Sequence, residues 1–324
     1  MVMKKQANNR TVCAIGDVHG HLQLALCMAA RWQRELNINF EAVLLCGDVG
    51  TFTQDAQLDS TTRRHAKSNP CELEFLYQWS VPPQPGYLAK IFEPIDQGGL
   101  GLECPVIMTH GNHEGFAHLA SLLTKKNPEY PVSISDLPNV DKGNFIKYLP
   151  SGCKCQTISG LVIGAIGGIE KNQRYANYHD MAYIDDQAVE QLLAGPGFDI
   201  LITHQGPSST QTEAKGSSTL QLLLDLPAKE LAKIWFHGHS IVNPGVQSLG
   251  PNGSMLVVPL GDAAFVSKGP ETGDPGDMSM CRATIQTEIQ YERKRPDFWR
   301  DYRKNKWKCL DNGQLLCPDL TNLI

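Results

Sequence analysis

The chain has 324 residues, 41% of them hydrophobic and 19% charged, a balance that excludes a disordered or fibrous protein and fits one large or two small globular domains. A formal net charge of -5 and a pI near 6.1 exclude any general pull toward nucleic acid or an anionic membrane, so such a partner would need a local basic patch. The first residues lack a secretory apolar core and no stretch approaches the roughly 20 apolar residues that span a bilayer, so the expected location is the cytoplasm, with no membrane partner.

Taken in chain order, β-prone apolar runs repeatedly end in a polar cluster. TVCAI (11–15) runs into GDVHG, and LQLALCMAARWQREL (22–36) then has helical periodicity. EAVLLC (41–46) runs into GDVG, after which residues 51–104 break the rhythm and read as an insertion or lid over one face. CPVIMT (104–109) runs into HGNHE and a helical FAHLASLLTKK (116–126). Asn144 to Ile169 lacks a helical period and reads as short strands joined by turns, so the sheet is expected to be mixed. A helix over 186–195, the strand FDILIT running into HQGP, a helix over 218–226 and the strand AKIWF running into HGHS follow. The expected fold is therefore α/β, and such folds collect their chemistry at the carboxyl ends of their strands, where every cluster falls.

The domain reading is one body over 1–268, including the insertion, followed by a basic and aromatic C-terminal extension over 269–324. Between Tyr291 and Lys308, cations interleave with Phe298, Trp299, Tyr302 and Trp307. That composition suits stacking on bases beside a phosphate backbone, and equally a helix docked by its aromatic face. The ten cysteines have no framework spacing and read as reduced core thiols; Cys153/Cys155 and Cys309/Cys317 have only weak zinc spacings.

Asp17 and His19 follow the first strand, Asp48 the second, Asn112 and His113 the third, His204 the fourth and His239 the fifth. Any one of them alone reads as a turn or cap residue. Five strand ends bearing metal-competent side chains in one chain point instead to a shared divalent-metal site. The donors exceed what one ion needs, and a carboxylate can bridge two ions at about 3.5–4 Å, an arrangement that activates water as hydroxide for displacement at phosphorus. His21, His65, His110 and His118 follow no such pattern and read as ordinary polar residues. Arg174, Tyr175 and His179 are candidates to hold phosphate oxygens, and Arg63 and Arg64 are either a lid over the site or surface charge.

GDVHG, GDVG, GNHE, THQGP and GHS, in this order, resemble the calcineurin-like metallophosphoesterase superfamily over about residues 11–262. The resemblance implies a two-layer mixed β-sandwich flanked by helices. It implies Asp17 and His19 on a first metal, Asp48 bridging, and Asn112, His204 and His239 on a second. His113 would protonate the leaving oxygen, and Glu114 would orient a neighbour. The common pattern G-H-x-H is broken here, because Ile241 stands where its second histidine would be, and His237 is a candidate to reach the first metal instead.

GDVHGH also resembles the protein phosphatases and the diadenosine tetraphosphate hydrolases, but their arginine in GDxxDRG has no counterpart in GDVGTFTQD. LLCGDVGTFTQDAQLDS, GNHEGFAHL, LVIGAIGGIEKNQRYANYH and IWFHGH are similar to the RNA lariat-debranching enzymes, which place a cysteine where Asp17 stands. The expected activity is a binuclear-metal phosphoester hydrolase, foremost a phosphodiesterase. The alternatives are a phosphomonoesterase, an RNA-processing nuclease, or a non-catalytic scaffold on the same fold. Two divalent ions are expected, with manganese first and iron or zinc compatible, and the partner is a small phosphoester or RNA; no protein partner is legible.

Overall fold

The structure, a computed structural model, describes residues 10–67, 70–80, 88–123, 131–171, 179–210, 216–227, 232–239, 245–263 and 279–293. Its elements in the first half are β1 (Thr11–Ile15), α1 (Leu22–Glu35), β2 (Ala42–Leu45), α2 (Ser60–Ala66), α3 (Glu74–Ser80), α4 (Ala89–Phe92), β3 (Val106–Met108) and α5 (Phe116–Leu122). The second half adds β4 (Val132–Ser133), β5 (Ile146–Tyr148), β6 (Lys154–Gln156), β7 (Val162–Ile166), α6 (Asp186–Leu193), β8 (Ile200–Thr203), α7 (Ser218–Gln221), β9 (Ile234–His237), β10 (Gln247–Leu249), β11 (Met255–Pro259), β12 (Met280–Ile285) and β13 (Ile289–Arg293).

Two mixed sheets face each other, one ordered β13-β12-β1-β2-β3-β5 and the other β10-β11-β9-β8-β7-β6-β4. Side chains alternate across each strand, which explains three packed layers. Val12, Ala14, Leu44 and Ile107 turn inward against Ile163, Ile202, Phe236 and Val258 of the facing sheet. Their alternates Cys13, Ile15, Leu45 and Met108 pack on Leu22, Leu26 and Met28 of α1. On the far side, Leu201, Trp235 and Val257 pack on Leu192 of α6 and Leu220 of α7. The fold is thus a mixed β-sandwich flanked by helices, as the α/β pattern predicts.

Parallel neighbours β1, β2 and β3 end on one rim, and so do β8 and β9 of the facing sheet. Loops after these strands therefore meet at a single edge of the sandwich. α1 has no side-chain cap of its own; Glu74, from the segment read as an insertion, accepts from the backbone N–H of Gln23 at 2.8 Å and supplies the negative charge that a helix start favours.

Two differences from the sequence pattern concern domain organisation. The 269–324 stretch is not wholly a separate tail, because β12 pairs antiparallel with β1 and β13 pairs with β12 inside the first sheet. The segment read as an insertion also packs directly against the first motif loop: Gly20 lies against the backbone of Cys71 and Glu72. Phe298, Trp299, Tyr302 and Trp307 lie outside the described residues. The eight described cysteines are buried and form no disulfide among the described residues, Cys153 and Cys155 among them, while Cys309 and Cys317 lie outside the described residues.

Candidate metal centre

The rim carries the strain that marks a built site. Among the described residues, six other than glycine have positive φ; three are asparagines, and the others are His19 (φ 40°), Asp48 (φ 49°) and His239 (φ 52°). Side chains with a Cβ avoid that region unless the surroundings impose it, and asparagine is the ordinary exception. Here the imposition is visible: the backbone N–H of His19 donates to the Asp48 carbonyl at 2.8 Å, tying the first loop to the second. The N–H of His239 donates to both carboxylate oxygens of Asp17, at 2.9 and 3.1 Å, tying the last loop to the first.

Asp17, Asp48, His204 and His239 each present one donor atom, and these four atoms lie within 4.8 Å of one another. Asn112 Oδ1 is 3.1 Å from His204 Nε2, which is itself 3.5 Å from Asp48 Oδ2. The same Asp48 oxygen is 3.7 Å from His19 Nε2 on its other side. Donors bound at about 2.0–2.2 Å to one divalent ion sit roughly 3 Å or a little more from each other, so these separations fit a metal centre. Asp48 Oδ2 thus lies between His19 on one side and His204, with Asn112 beyond it, on the other, while Asp17 shares the four-donor cluster with His204 and His239. His204 Nδ1 faces the Cys46 carbonyl at 2.9 Å, which fixes that nitrogen as the protonated one and turns the Nε2 lone pair into the site.

Electrostatics agree with this fit. Asp17 and Asp48 are buried, and burial, with the Asp48 charge beside it and Asp262 beyond, pushes the Asp17 carboxyl well above its usual pKa. Burial opposes charge on Asp48 as well, but His204, His113, His19 and His239 surround it and hold its pKa well below the usual carboxylate range. Burial also lowers the pKa of His204 against the pull of Asp48 and so favours the neutral imidazole that a metal requires. Two adjacent buried carboxylates are costly unless cations compensate them, and a divalent metal bound here would do so.

Glu114 does not face the metal donors; it pins the loop that carries Asp48. Its carboxylate accepts from the backbone N–H groups of Val49, Gly50 and Thr51 at 2.8, 3.1 and 3.0 Å and from the Thr51 hydroxyl at 2.8 Å. Burial and the nearby Asp48 charge raise its pKa to about 7 against those donors. Gly111 is required here, because a Cβ at that position would overlap Asp48 Oδ1.

His113 sits beside the donors. Its N–H donates to Asp48 Oδ1 at 2.7 Å, and its ring Nδ1 is 2.9 Å from Asp59 Oδ2. Burial alone would lower the pKa of this imidazole, but Asp48, Asp59 and Glu72 together raise it to about 9. Asp59 and Asp48 thus hold this residue beside the donors, one through the ring Nδ1 and the other through the backbone N–H.

Other candidate residues lie elsewhere. The His237 ring packs against Gly206 and its Nδ1 contacts the Gly238 carbonyl at 3.0 Å; it is outside the four-donor cluster. His179 accepts from Met181 N–H at 3.1 Å, which caps the following turn, and stacks on Phe116 with ring centroids 5.0 Å apart. Arg63 is held by Asp55 at 3.0 Å and by the Leu58 carbonyl at 3.2 Å, and Arg64 is exposed beside His65, so these two read as surface charge. Arg174, Tyr175 and Ile241 lie outside the described residues. Of the histidines outside the strand-end pattern, His110 is buried with its Nδ1 2.8 Å from the Tyr148 hydroxyl, and His118 is half-buried with its Nε2 2.8 Å from the Val140 carbonyl.

The sequence pattern passes over Asp59, Glu72 and Asp262. Asp262 follows β11, whose neighbour β9 leads to His239, and it raises the pKa of His19 ahead of Asp48 and Glu72, after burial has acted to lower it. That strand-end aspartate, in PLGD, is the one signal of this kind that a reading of strand ends could have found.

The sequence profile described as calcineurin-like phosphoesterase matches residues 10–243. The chain belongs to that family, and the centre described above is one that can hold the divalent metals its members use. No curated protein sequence matches the chain. Among solved structures, it is similar to GAP50, the anchor in the inner membrane complex of Plasmodium, at 13% identity and a TM-score of 0.43, over 94% of this chain and 96% of that one. That likeness is too slight to bear on function. Among the described residues no helix is long and apolar enough to cross a membrane.

Proposed function

We propose that this protein is a binuclear-metal phosphodiesterase. The observation that carries the reading is the position of Asp48 Oδ2, 3.7 Å from His19 Nε2 and 3.5 Å from His204 Nε2, where one carboxylate can serve two ions. A bound pair of divalent ions, manganese first, supplies an activated water and neutralises charge at phosphorus. Asp17, His19 and Asp48 would hold one ion, and Asp48, Asn112, His204 and His239 the other.

The chain's own contribution to bond cleavage is a proton. His113, charged and oriented by Asp59, would give the Nε2 proton to the departing alkoxide, a group too basic to leave unprotonated. The absence of the GDxxDRG arginine from GDVGTFTQD favours a diester over the phosphomonoesters of the protein phosphatases. The resemblance to the lariat-debranching enzymes makes 2',5'-linked RNA the first natural diester to try.

The test is a panel of bis-p-nitrophenyl phosphate, p-nitrophenyl phosphate, and linear and branched oligoribonucleotides, each with added manganese. Manganese-dependent hydrolysis that prefers diesters is expected. Two bound ions without hydrolysis of any member would leave a scaffold, and a clear monoester preference would replace the diester reading with a phosphatase.

A further inference from the structure

The first metal site is the weaker of the two by composition, since Ile241 occupies the place of its second histidine in the superfamily pattern and His19 is left as its imidazole donor. How His19 is held therefore matters more here than in a site with two histidines. A metal-binding histidine offers one ring nitrogen to the ion, and the group on the other nitrogen sets its tautomer, its orientation and its basicity.

Both nitrogens of His19 have a carboxylate beside them. Nε2 faces the bridging Asp48 oxygen at 3.7 Å, and Nδ1 faces Glu72 Oε2 at 3.9 Å. Glu72 is only 5% exposed, and the segment carrying it is fixed to the first motif at two points. The Cys71 and Glu72 backbone lies so close to Gly20 that no side chain fits there, and Glu74 accepts from the N–H of Gln23 at the start of α1. Glu72 is thus built against the loop that carries His19. His113 repeats the pattern, its Nδ1 being 2.9 Å from Asp59, so one segment of the chain backs two histidines of the site with two carboxylates.

We infer that Glu72 is the positioning residue of the first metal site, its carboxylate facing the Nδ1 side of His19 across 3.9 Å, a gap one water can bridge, and so presenting Nε2 to the ion. The inference rests on the binuclear reading above and deepens it. Residues 71–74 then act as a wall of the metal centre that stands in for the grip lost at Ile241.

The experiment measures manganese binding to the full chain by calorimetry and by metal content after graded chelation, for the wild type and Glu72→Gln. We expect a loss of about 10–100-fold in affinity at one site, the other unchanged, with Glu72→Asp recovering part of the loss. A second measurement needs no variant at Glu72: two-bond proton–nitrogen correlation spectra of the zinc-loaded wild type, with His19 assigned by its absence in His19→Gln, should show a protonated Nδ1. Unchanged affinity in Glu72→Gln, or a His19 whose Nε2 carries the proton, overturns the role of Glu72 while leaving the metal pair standing. A wild type that binds fewer than two ions overturns the binuclear reading itself, and the role of Glu72 falls with it.

Discussion

Asp59 Oδ2 lies 2.9 Å from His113 Nδ1, while the same carboxylate's Oδ1 accepts from the backbone N–H groups of Thr61 and Thr62 at 2.8 and 2.9 Å. One side chain therefore does two separable things, holding the His113 ring and capping α2. Asp59→Asn keeps an oxygen for the cap but removes the charge that favours the imidazolium. It should lower turnover of diesters with alkyl leaving groups by about 10–100-fold, with a much smaller effect on p-nitrophenyl esters, and leave manganese content unchanged. Asp59→Ala should show the same kinetic split and also lose about 1 kcal/mol of stability as the cap goes. Equal losses on both leaving groups would show that Asp59 does not act through proton delivery.

His113→Ala separates the ring from the backbone of the same residue. In the proposed reaction the ring delivers the proton, whereas the backbone N–H that holds Asp48 Oδ1 at 2.7 Å survives the substitution. Metal content should therefore stay near the wild-type value while turnover of alkyl diesters falls by about 10²–10⁴-fold. Full activity on a poor leaving group would remove His113 from the mechanism.

Asp48 and Gly111 give the complementary result, loss of metal with the fold kept. Asp48→Asn removes the charge shared between the two donor sets, so both ions should leave together and chelator titration should show no intermediate with one ion. Gly111→Ala inserts a carbon into the space of Asp48 Oδ1 and should weaken both sites by pushing that oxygen aside. Far-UV circular dichroism close to wild type in both variants would confirm that the loss is local. Retention of one tight ion in Asp48→Asn would rule against bridging.

Much of the centre was legible in the sequence for a geometric reason. Parallel neighbours such as β1, β2 and β3 must end on one rim, so residue type at a strand end suffices to nominate Asp17, Asp48, Asn112, His204 and His239 without knowing any distance. Asp59 and Glu72 had no such rule to reveal them. They sit in a short helix cap and a 3-10 turn inside a segment with no hydrophobic period, and only the three-dimensional path of that segment brings them to His113 and His19. β12 escaped for another reason: MCRATI follows the turn-rich KGPETGDPGD, and its partner β1 lies at the opposite end of the sequence, with Thr11 and Thr284 joined through their hydroxyls at 2.8 Å. Local pattern cannot report a pairing of that span.

The same distinction separates the metal histidines from His110, whose effect is on stability. His110 is buried, its Nδ1 lies 2.8 Å from the Tyr148 hydroxyl, and its other nitrogen serves the Met181 carbonyl. Burial lowers its pKa from 6.5 to about 4, and burial also keeps the Tyr148 hydroxyl protonated, so the neutral ring accepts from Tyr148 and donates to Met181. A folded-state pKa below the unfolded one means that the unfolded chain takes up a proton the folded chain refuses. The stabilisation is therefore complete above pH 6.5 and is lost progressively as the pH falls toward 4. At pH 5 the loss through this one group is about 2 kcal/mol relative to pH 8. Urea unfolding of the metal-free protein at those two pH values should show it, and His110→Gln, which cannot titrate, should have a pH dependence smaller by about that amount. An identical pH dependence in wild type and His110→Gln would mean that the buried ring takes up its proton as readily folded as unfolded, against the two hydrogen bonds that hold it neutral.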